Sequence, residues 1–495
     1  MKKPMLSKSR YISGQQCNKL LWFKAIRKPP PEEMDEGTKD RLKAGDDVGD
    51  LAKELFPGGV DIEYLPDNPE KMVEDTNLAI EKGAPIYEAT FVIDNNLIRV
   101  DLMNQTNDGW DMYEVKSTSQ KKLKPYHKED ASFQWYVLSQ VEELKMNNAY
   151  VITINGDYLK DGRIDLEKLF TRHNITKEVN DHLAIVPNEI NKMQGIIECD
   201  VEPNTPIGPH CSKPHSCEYK KLCWEDVKDN SVLNLYRMDA KDKFNLFDNE
   251  YKTFNEIPEG TKLSDIQQKQ ITSNLNNETL IDKNRVKEFI DTIKYPISYF
   301  DFETFQDAVP RFDNQRPYMQ MPFQFSLHIQ NEPLGKIDHR EWIVDHKDDP
   351  RKEIAEKMLK WIPPKGTIIA YHKSFEMDCI KKLARYNVEL SDQLLALNER
   401  FTDLKDPFSK GYYYHPAFNG SFSIKKVLPA LYPNDSSLNY DSLNIKNGGE
   451  ASLAYKKFHE LNDEEIETYR NDLFAYCKVD TLAMVRILEK LIKKI

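Results

Sequence analysis

The chain has 495 residues, a formal net charge of −12, and 39% hydrophobic and 30% charged residues. This is the composition of an ordinary globular protein with room for two or three domains, and it excludes collagen-like, low-complexity and repeat architectures. No apolar run approaches the roughly 20 residues that span a bilayer, and no apolar stretch of a signal peptide follows the basic start Met1-Lys2-Lys3-Pro4, so a cytoplasmic protein with no membrane association is expected.

Residues 1–225 read as one domain. Helices are expected over Ser13–Phe23 and Lys43–Phe56, the latter from the spacing of Val48, Leu51, Ala52 and Leu55. Three strands follow at Ile86–Ile93, Leu97–Met103 and Trp110–Lys116, joined by turns at Asp94-Asn95-Asn96 and around Asn104–Gly109. Asn and Gly supply the turn conformations of a meander. A helix is expected over Ala131–Leu144 and a strand over Ala149–Ile154.

Asp101 ends the second strand and Glu114-Val115-Lys116 ends the third. Glu114 and Lys116 are two apart on a strand and share a face. Two carboxylates and a lysine then converge, and Glu88 on the first strand offers another carboxylate. Carboxylates suit Mg²⁺ or Mn²⁺, which would lower the pKa of a bound water, while the lysine stabilises charge on a phosphate. Alone, such a set is commonly a surface salt bridge. The succession of Asp strand, Glu-x-Lys strand and a helix with Gln134-Trp135-Tyr136 resembles the RecB/AddB branch of the PD-(D/E)xK nucleases. The resemblance implies that Asp101 and Glu114 hold metal, that Lys116 is catalytic and that Gln134 faces the site. It departs at Gly45-Asp46-Asp47-Val48-Gly49, where many relatives carry a metal-binding His.

Seven cysteines, an odd number, do not form a secreted disulfide framework. Cys211, Cys217 and Cys223 fall at equal intervals of five intervening residues. Thiolates so placed suit an Fe–S cluster or zinc, although structural zinc favours tighter pairs. With Cys17 upstream of the nuclease core, the pattern resembles the iron–sulfur staple of AddB and related CRISPR-associated nucleases, which implies a structural 4Fe–4S cluster. Cys199, Cys379 and Cys477 are left as core or free thiols.

Residues 226–290 are polar and read as a helical connector. From 291 to 495 the order changes to strands at Pro296–Phe302, Phe323–Gln330 and Ile337–Val344, a helix at Pro350–Trp361, a strand at Thr367–Tyr371, a helix at Phe375–Tyr386, and a last helix from Asp463 to about Lys490. This α/β order is compatible with an RNase-H-like sheet. Asp301 and Glu303 are spaced i, i+2 on an apolar strand, so two acids share one face and repel unless a cation separates them. Tyr476 and Asp480 lie one helical turn apart in the last helix. Asp-x-Glu on a strand with Tyr-x-x-x-Asp on a terminal helix resembles the DnaQ-like, or DEDD, exonucleases. The resemblance implies two metal ions on Asp301, Glu303, Glu376 and Asp480, a water oriented by Tyr476, and 3′-to-5′ direction. Glu376 stands where an Asp is usual; Asp378 and Asp403 compete for that role.

The fold class expected is α/β, with a PD-(D/E)xK domain stapled by a cluster and an RNase-H-like domain, as in bacterial fusions of the two. The function expected is hydrolysis of DNA by a metal-dependent exonuclease acting on single-stranded ends, in repair, processing or defence, with Mg²⁺ or Mn²⁺ and a 4Fe–4S cluster as cofactors. Trp135, Tyr136 and Tyr412-Tyr413-Tyr414 are candidate stacking surfaces. The alternatives are a non-catalytic nucleic-acid scaffold and an exonuclease acting on RNA. Net acidity excludes none of these, because binding depends on local basic stretches such as Lys121-Lys122-Leu123-Lys124 and Lys425-Lys426. These residues specify no helicase or repair partner.

Overall fold

The computed structural model describes residues 4–26, 30–119, 121–435 and 440–495, and the basic start Met1-Lys2-Lys3 lies outside them. The chain divides into two compact units: Met1–Asp226 with Asp307–Met319, and Val227–Gln306 with Gln320–Ile495. Both are mixed α/β. Among the described residues no helix is long and apolar enough to cross a membrane.

The first unit is built on seven strands: β1 (Leu6–Ser7), β2 (Val60–Asp61), β3 (Ile86–Ile93), β4 (Asn96–Thr106), β5 (Gly109–Lys116), β6 (Met146–Ile154) and β7 (Phe170–Asn174). They lie in the order β2-β3-β4-β5-β6-β7, with β1 paired alongside β4. β3, β4 and β5 form an antiparallel meander. Its first turn carries Asp94 and Asn95 at φ 47° and 61°, a left-handed conformation that short polar side chains tolerate. β5 and β6 are parallel, so the chain must cross over between them, and the helix Pro125–Ser139 does this. It starts earlier than Ala131 because proline is pre-organised for the first helical turn. Phe133, Val137 and Leu138 of this helix pack with Ile98, Val100, Met112 and Val151 of the sheet.

The helix expected over Ser13–Phe23 is two helices, Lys8–Gln16 and Asn18–Ile26, broken at Cys17, whose backbone is extended (φ −164°, ψ 128°). The excursion 307–319 returns to this unit. Tyr318 donates to the Ser117 carbonyl at 2.6 Å, and Lys160 pairs with Asp313 at 2.6 Å.

The second unit holds β8 (Leu280–Ile281), β9 (Ile297–Phe305), β10 (Met321–Gln330), β11 (Ile337–Ile343), β12 (Ile368–Ala370), β13 (Phe401–Asp403) and β14 (Tyr413–Tyr414). Five of these form a sheet in the order β11-β10-β9-β12-β13. β10 is antiparallel to both its neighbours, while β9, β12 and β13 run parallel. The strand period sorts β9 into two faces. Phe300 and Phe302 enter an apolar core with Phe325, Leu327, Ile354 and Ile380, so Asp301 and Glu303 lie on the opposite face. That face is covered by the terminal helix Asp463–Lys493: Gln324 donates to the Leu473 carbonyl, and Ser326 hydrogen-bonds Thr481. Gln324 and Ser326 are the register partners of Glu303 and Asp301.

Residues 226–290 are not a free connector. Val232, Leu235 and Phe254 form their own cluster, and β8 pairs with β14. Scattered apolar residues in a polar stretch gave no period to read, yet the few that are buried tie the segment from Val227 onward into the second unit.

Candidate active and metal sites

In the second unit β9 carries Asp301 and Glu303, the terminal helix carries Tyr476, Cys477 and Asp480, and the first turn of the helix Ser374–Tyr386 carries Glu376. Glu303, Glu376 and Asp480 are buried and Asp301 is half-buried. Burial raises all four carboxyl groups above their usual range. The repulsion of Asp480, Glu303 and Glu376 adds to it at Asp301, and that of Asp480 and Glu376 adds to it at Glu303. Glu376 is pushed up to about 8, by burial first and then by Asp403. At Asp480 burial is opposed by hydrogen bonds from Tyr440 and Tyr476 and by Lys425. The Glu376 Oε2 atom is buried without a hydrogen-bond partner.

Ligand atoms of Asp301, Glu303 and Cys477 lie within 4.8 Å of one another, a spacing that suits one metal ion. Cys477, read from sequence as a core or free thiol, therefore belongs to the site, and its Sγ lies 3.8 Å from Asp301 Oδ2. Two further residues were not placed at this site from the sequence, Lys425 having been read only as part of a basic stretch. Tyr440 donates to Asp480 Oδ1 at 2.6 Å, and Lys425 Nζ lies 5.1 Å and 5.4 Å from the ring centres of Tyr440 and Tyr476. No local periodicity connects either residue to the acids. Of the two competitors to Glu376, Asp378 is exposed and paired with Lys382 at 2.7 Å. Asp403 is occupied as a backbone acceptor for the N–H groups of His372, Lys373 and Lys405 at 2.9, 3.1 and 3.0 Å. It thereby fixes the turn into the helix of Glu376, where His372 adopts φ 78°.

In the first unit Asp101, Glu114, Lys116 and Gln134 do converge. Glu114 is buried and accepts from Lys116 at 2.6 Å and from Gln134 at 2.7 Å. Asp101 accepts the backbone N–H of Val115 at 2.7 Å. Two residues join that sequence reading missed. Asp130, one turn before Gln134, takes Lys116 Nζ at 2.7 Å. Lys8 lies 2.8 Å from Glu114 Oε1 and 3.4 Å from Asp101 Oδ1. Asp130 was legible from its i, i+4 relation to Gln134; Lys8, far away in sequence, carried no such signal. Burial and then Glu114 raise Asp101 to about 7, whereas Lys116 and Lys8 overcome burial at Glu114 and hold it well below the usual range. Glu88 is turned to an ion pair with Arg99 at 3.3 Å, its own backbone at φ 59°. The helix Glu36–Lys53 passes the end of β5 at Gly45, where a Cβ would lie 3.8 Å from Ser117 Oγ; this is the stretch without the His.

Cys17, Cys211, Cys217 and Cys223 line one cavity with Lys19, Phe23, His210 and Tyr219. Burial raises Cys217 to about 11, with the other three thiols adding to it. Among the described residues no three of these sulfurs lie within 4.8 Å of one another. The expected stacking surfaces are largely core: Trp135 is buried and donates to Asn180 at 2.9 Å, and Tyr413 and Tyr414 are buried.

Comparison with known proteins adds relatives without a stated activity. Residues 298–423 match a domain of unknown function (DUF2779), a span that includes Asp301, Glu303 and Glu376 but ends before Lys425 and Asp480. The chain is 30% identical over 218 residues to "Uncharacterized protein UU173" of Ureaplasma parvum, covering 40% of this chain and 31% of that protein. It is 25% identical over 278 residues to "Uncharacterized protein MG366" of Mycoplasma genitalium, covering 49% and 42%. The chain thus spans under half the length of either relative.

Proposed function

We propose that the chain is a metal-dependent nuclease whose principal site is the acid cluster of the second unit. The observation that carries this reading is the grouping of Asp301 and Glu303 with the Cys477 thiol within 4.8 Å, with the charges of Asp480 and Glu376 bearing on both acids. Acids that bear on one another in this way repel unless cations are present. The donor set, oxygen-rich and buried, fits Mg²⁺ or Mn²⁺. When bound, the pair of ions would activate water and stabilise the leaving oxygen of a phosphodiester. The chain itself supplies the ligands, the Tyr476 and Tyr440 hydroxyls that orient Asp480, and the Lys425 ammonium as a counter-charge at the pocket. Two features support the RNase-H-like, DnaQ-like reading: the sheet order β11-β10-β9-β12-β13 with only its second strand reversed, and Asp-x-Glu on its central strand.

The first unit is read as the PD-(D/E)xK partner on the cluster of Asp101, Glu114 and Lys116. Its four cysteines are read as ligands of a 4Fe–4S cluster. Support comes from the one cavity they line and from the five-residue intervals between Cys211, Cys217 and Cys223 in the chain, wider than the pairs that structural zinc favours. The substrate proposed is DNA with single-stranded ends.

Incubating the full chain with end-labelled single-stranded DNA, duplex DNA and RNA, in Mg²⁺, Mn²⁺ or EDTA, tests the reading. Stepwise shortening of single-stranded DNA that requires metal is expected. Shortening of RNA alone would reassign the substrate, and binding without cleavage under every metal would leave a scaffold.

A further inference from the structure

Lys8 takes the first position of the helix Lys8–Gln16. A cation there faces the positive end of the helix dipole, which disfavours it. What holds the ammonium is acid: Nζ lies 2.8 and 3.1 Å from the two oxygens of Glu114 and 3.4 Å from Asp101 Oδ1. That point lies between the two carboxylates that would share a metal ion. The placement is anchored from both sides. β1 pairs with β4, the strand bearing Asp101, and Ser7 caps the helix through the Arg10 N–H.

The charges of the cluster agree with the geometry. Counted as formal charges, Asp101, Glu114 and Asp130 bring three negative charges and Lys8 and Lys116 two positive ones, all joined by hydrogen bonds. The remaining −1 is too little to balance a dication; without Lys8 the balance becomes −2, which one dication neutralises. In the second unit, by contrast, one lysine, Lys425, bears on Glu303 and Asp480.

Resting on the metal reading of this cluster, we propose that Lys8 is a resident cation of the first unit. Its ammonium fills the metal position, and a divalent ion binds between Asp101 and Glu114 only by displacing it. Lys8 thereby sets the metal affinity of this site, and the two sites of the chain load with metal over different concentration ranges.

The test is calorimetric titration of Mn²⁺ into the full chain carrying Asp301→Asn and Glu303→Gln, which remove ligands of the second unit, with Lys8 kept or changed to Met. The Lys8→Met protein should bind Mn²⁺ at least about tenfold tighter than its parent. A unit charge removed from a few ångströms away is worth more than that at an effective dielectric of about 20. Adding Glu114→Gln should abolish the gain, and Lys8→Arg should bind as weakly as the parent. If Lys8→Met does not fold, Lys8→Gln carries the same expectation. Equal or weaker binding in a folded Met or Gln variant overturns the role of Lys8 while leaving a metal site in place. No heat from the parent or any variant overturns the metal reading of this unit as well.

Discussion

Glu376 has one buried carboxylate oxygen without a partner and a pKa pushed up to about 8 by burial. A carboxyl group raised in the folded state binds its proton more tightly there than in the unfolded chain, where it titrates near 4.5. Stability is then fully present below that value and is lost as pH rises toward about 8. Asp301, Glu303 and Asp480 are shifted in the same direction. EDTA-treated protein should therefore lose thermal stability between about pH 5 and pH 8, and Mn²⁺ should restore it with release of protons. Calorimetry in buffers of different ionisation enthalpy would count those protons; metal binding that releases none contradicts the shared-carboxyl account. Asp301 and Glu303 were legible because a strand repeats every two residues and two acids on one face of an apolar strand are conspicuous. Tyr440, Lys425 and Lys8 were not, since each reaches its site from a distant segment through tertiary packing alone.

Elements set where these side chains arrive. Asp403 takes three backbone N–H groups in the turn that leads to Glu376. Asp403→Ala should lower the unfolding free energy of the second unit by about 2–3 kcal/mol, the worth of hydrogen bonds to a charged acceptor. It should also weaken metal binding, because the first turn bearing Glu376 loses its anchor; an unchanged denaturant midpoint would refute this. The break at Cys17 has a similar logic in the first unit. An extended residue between two helices puts Cys17 on the wall of the cavity shared with Cys211, Cys217 and Cys223. Anaerobically purified protein should carry about four irons per chain. Cys217→Ser should lose the iron and lower the melting temperature, because ligand binding is coupled to folding. Zinc without iron would exclude the cluster. Strands and the terminal helix could be read from their periods, to within a residue or two at several ends. The helix break could not, because the apolar pattern continues across it, and neither could the fold of 226–290, where apolar residues are sparse.

The two units carry acid clusters that differ in resident charge: two lysines, Lys8 and Lys116, sit among the three acids of the first, and one, Lys425, bears on the four acids of the second. Lys116→Ala should leave the second cluster's activity in place while removing any contributed by the first, so the two can be scored separately on one substrate. The central claim is that Asp301, Glu303, Glu376 and Asp480 form a metal-dependent phosphodiesterase site. Its most direct test is the rate at which the full chain shortens end-labelled single-stranded DNA in Mn²⁺, compared between the native sequence, Asp301→Asn and Tyr476→Phe, each checked for folding and iron content. The account predicts metal-dependent shortening, a loss of about 10²-fold or more in Asp301→Asn, and a smaller loss in Tyr476→Phe, since that hydroxyl positions a ligand and holds no charge. Shortening by Asp301→Asn at the native rate would contradict it.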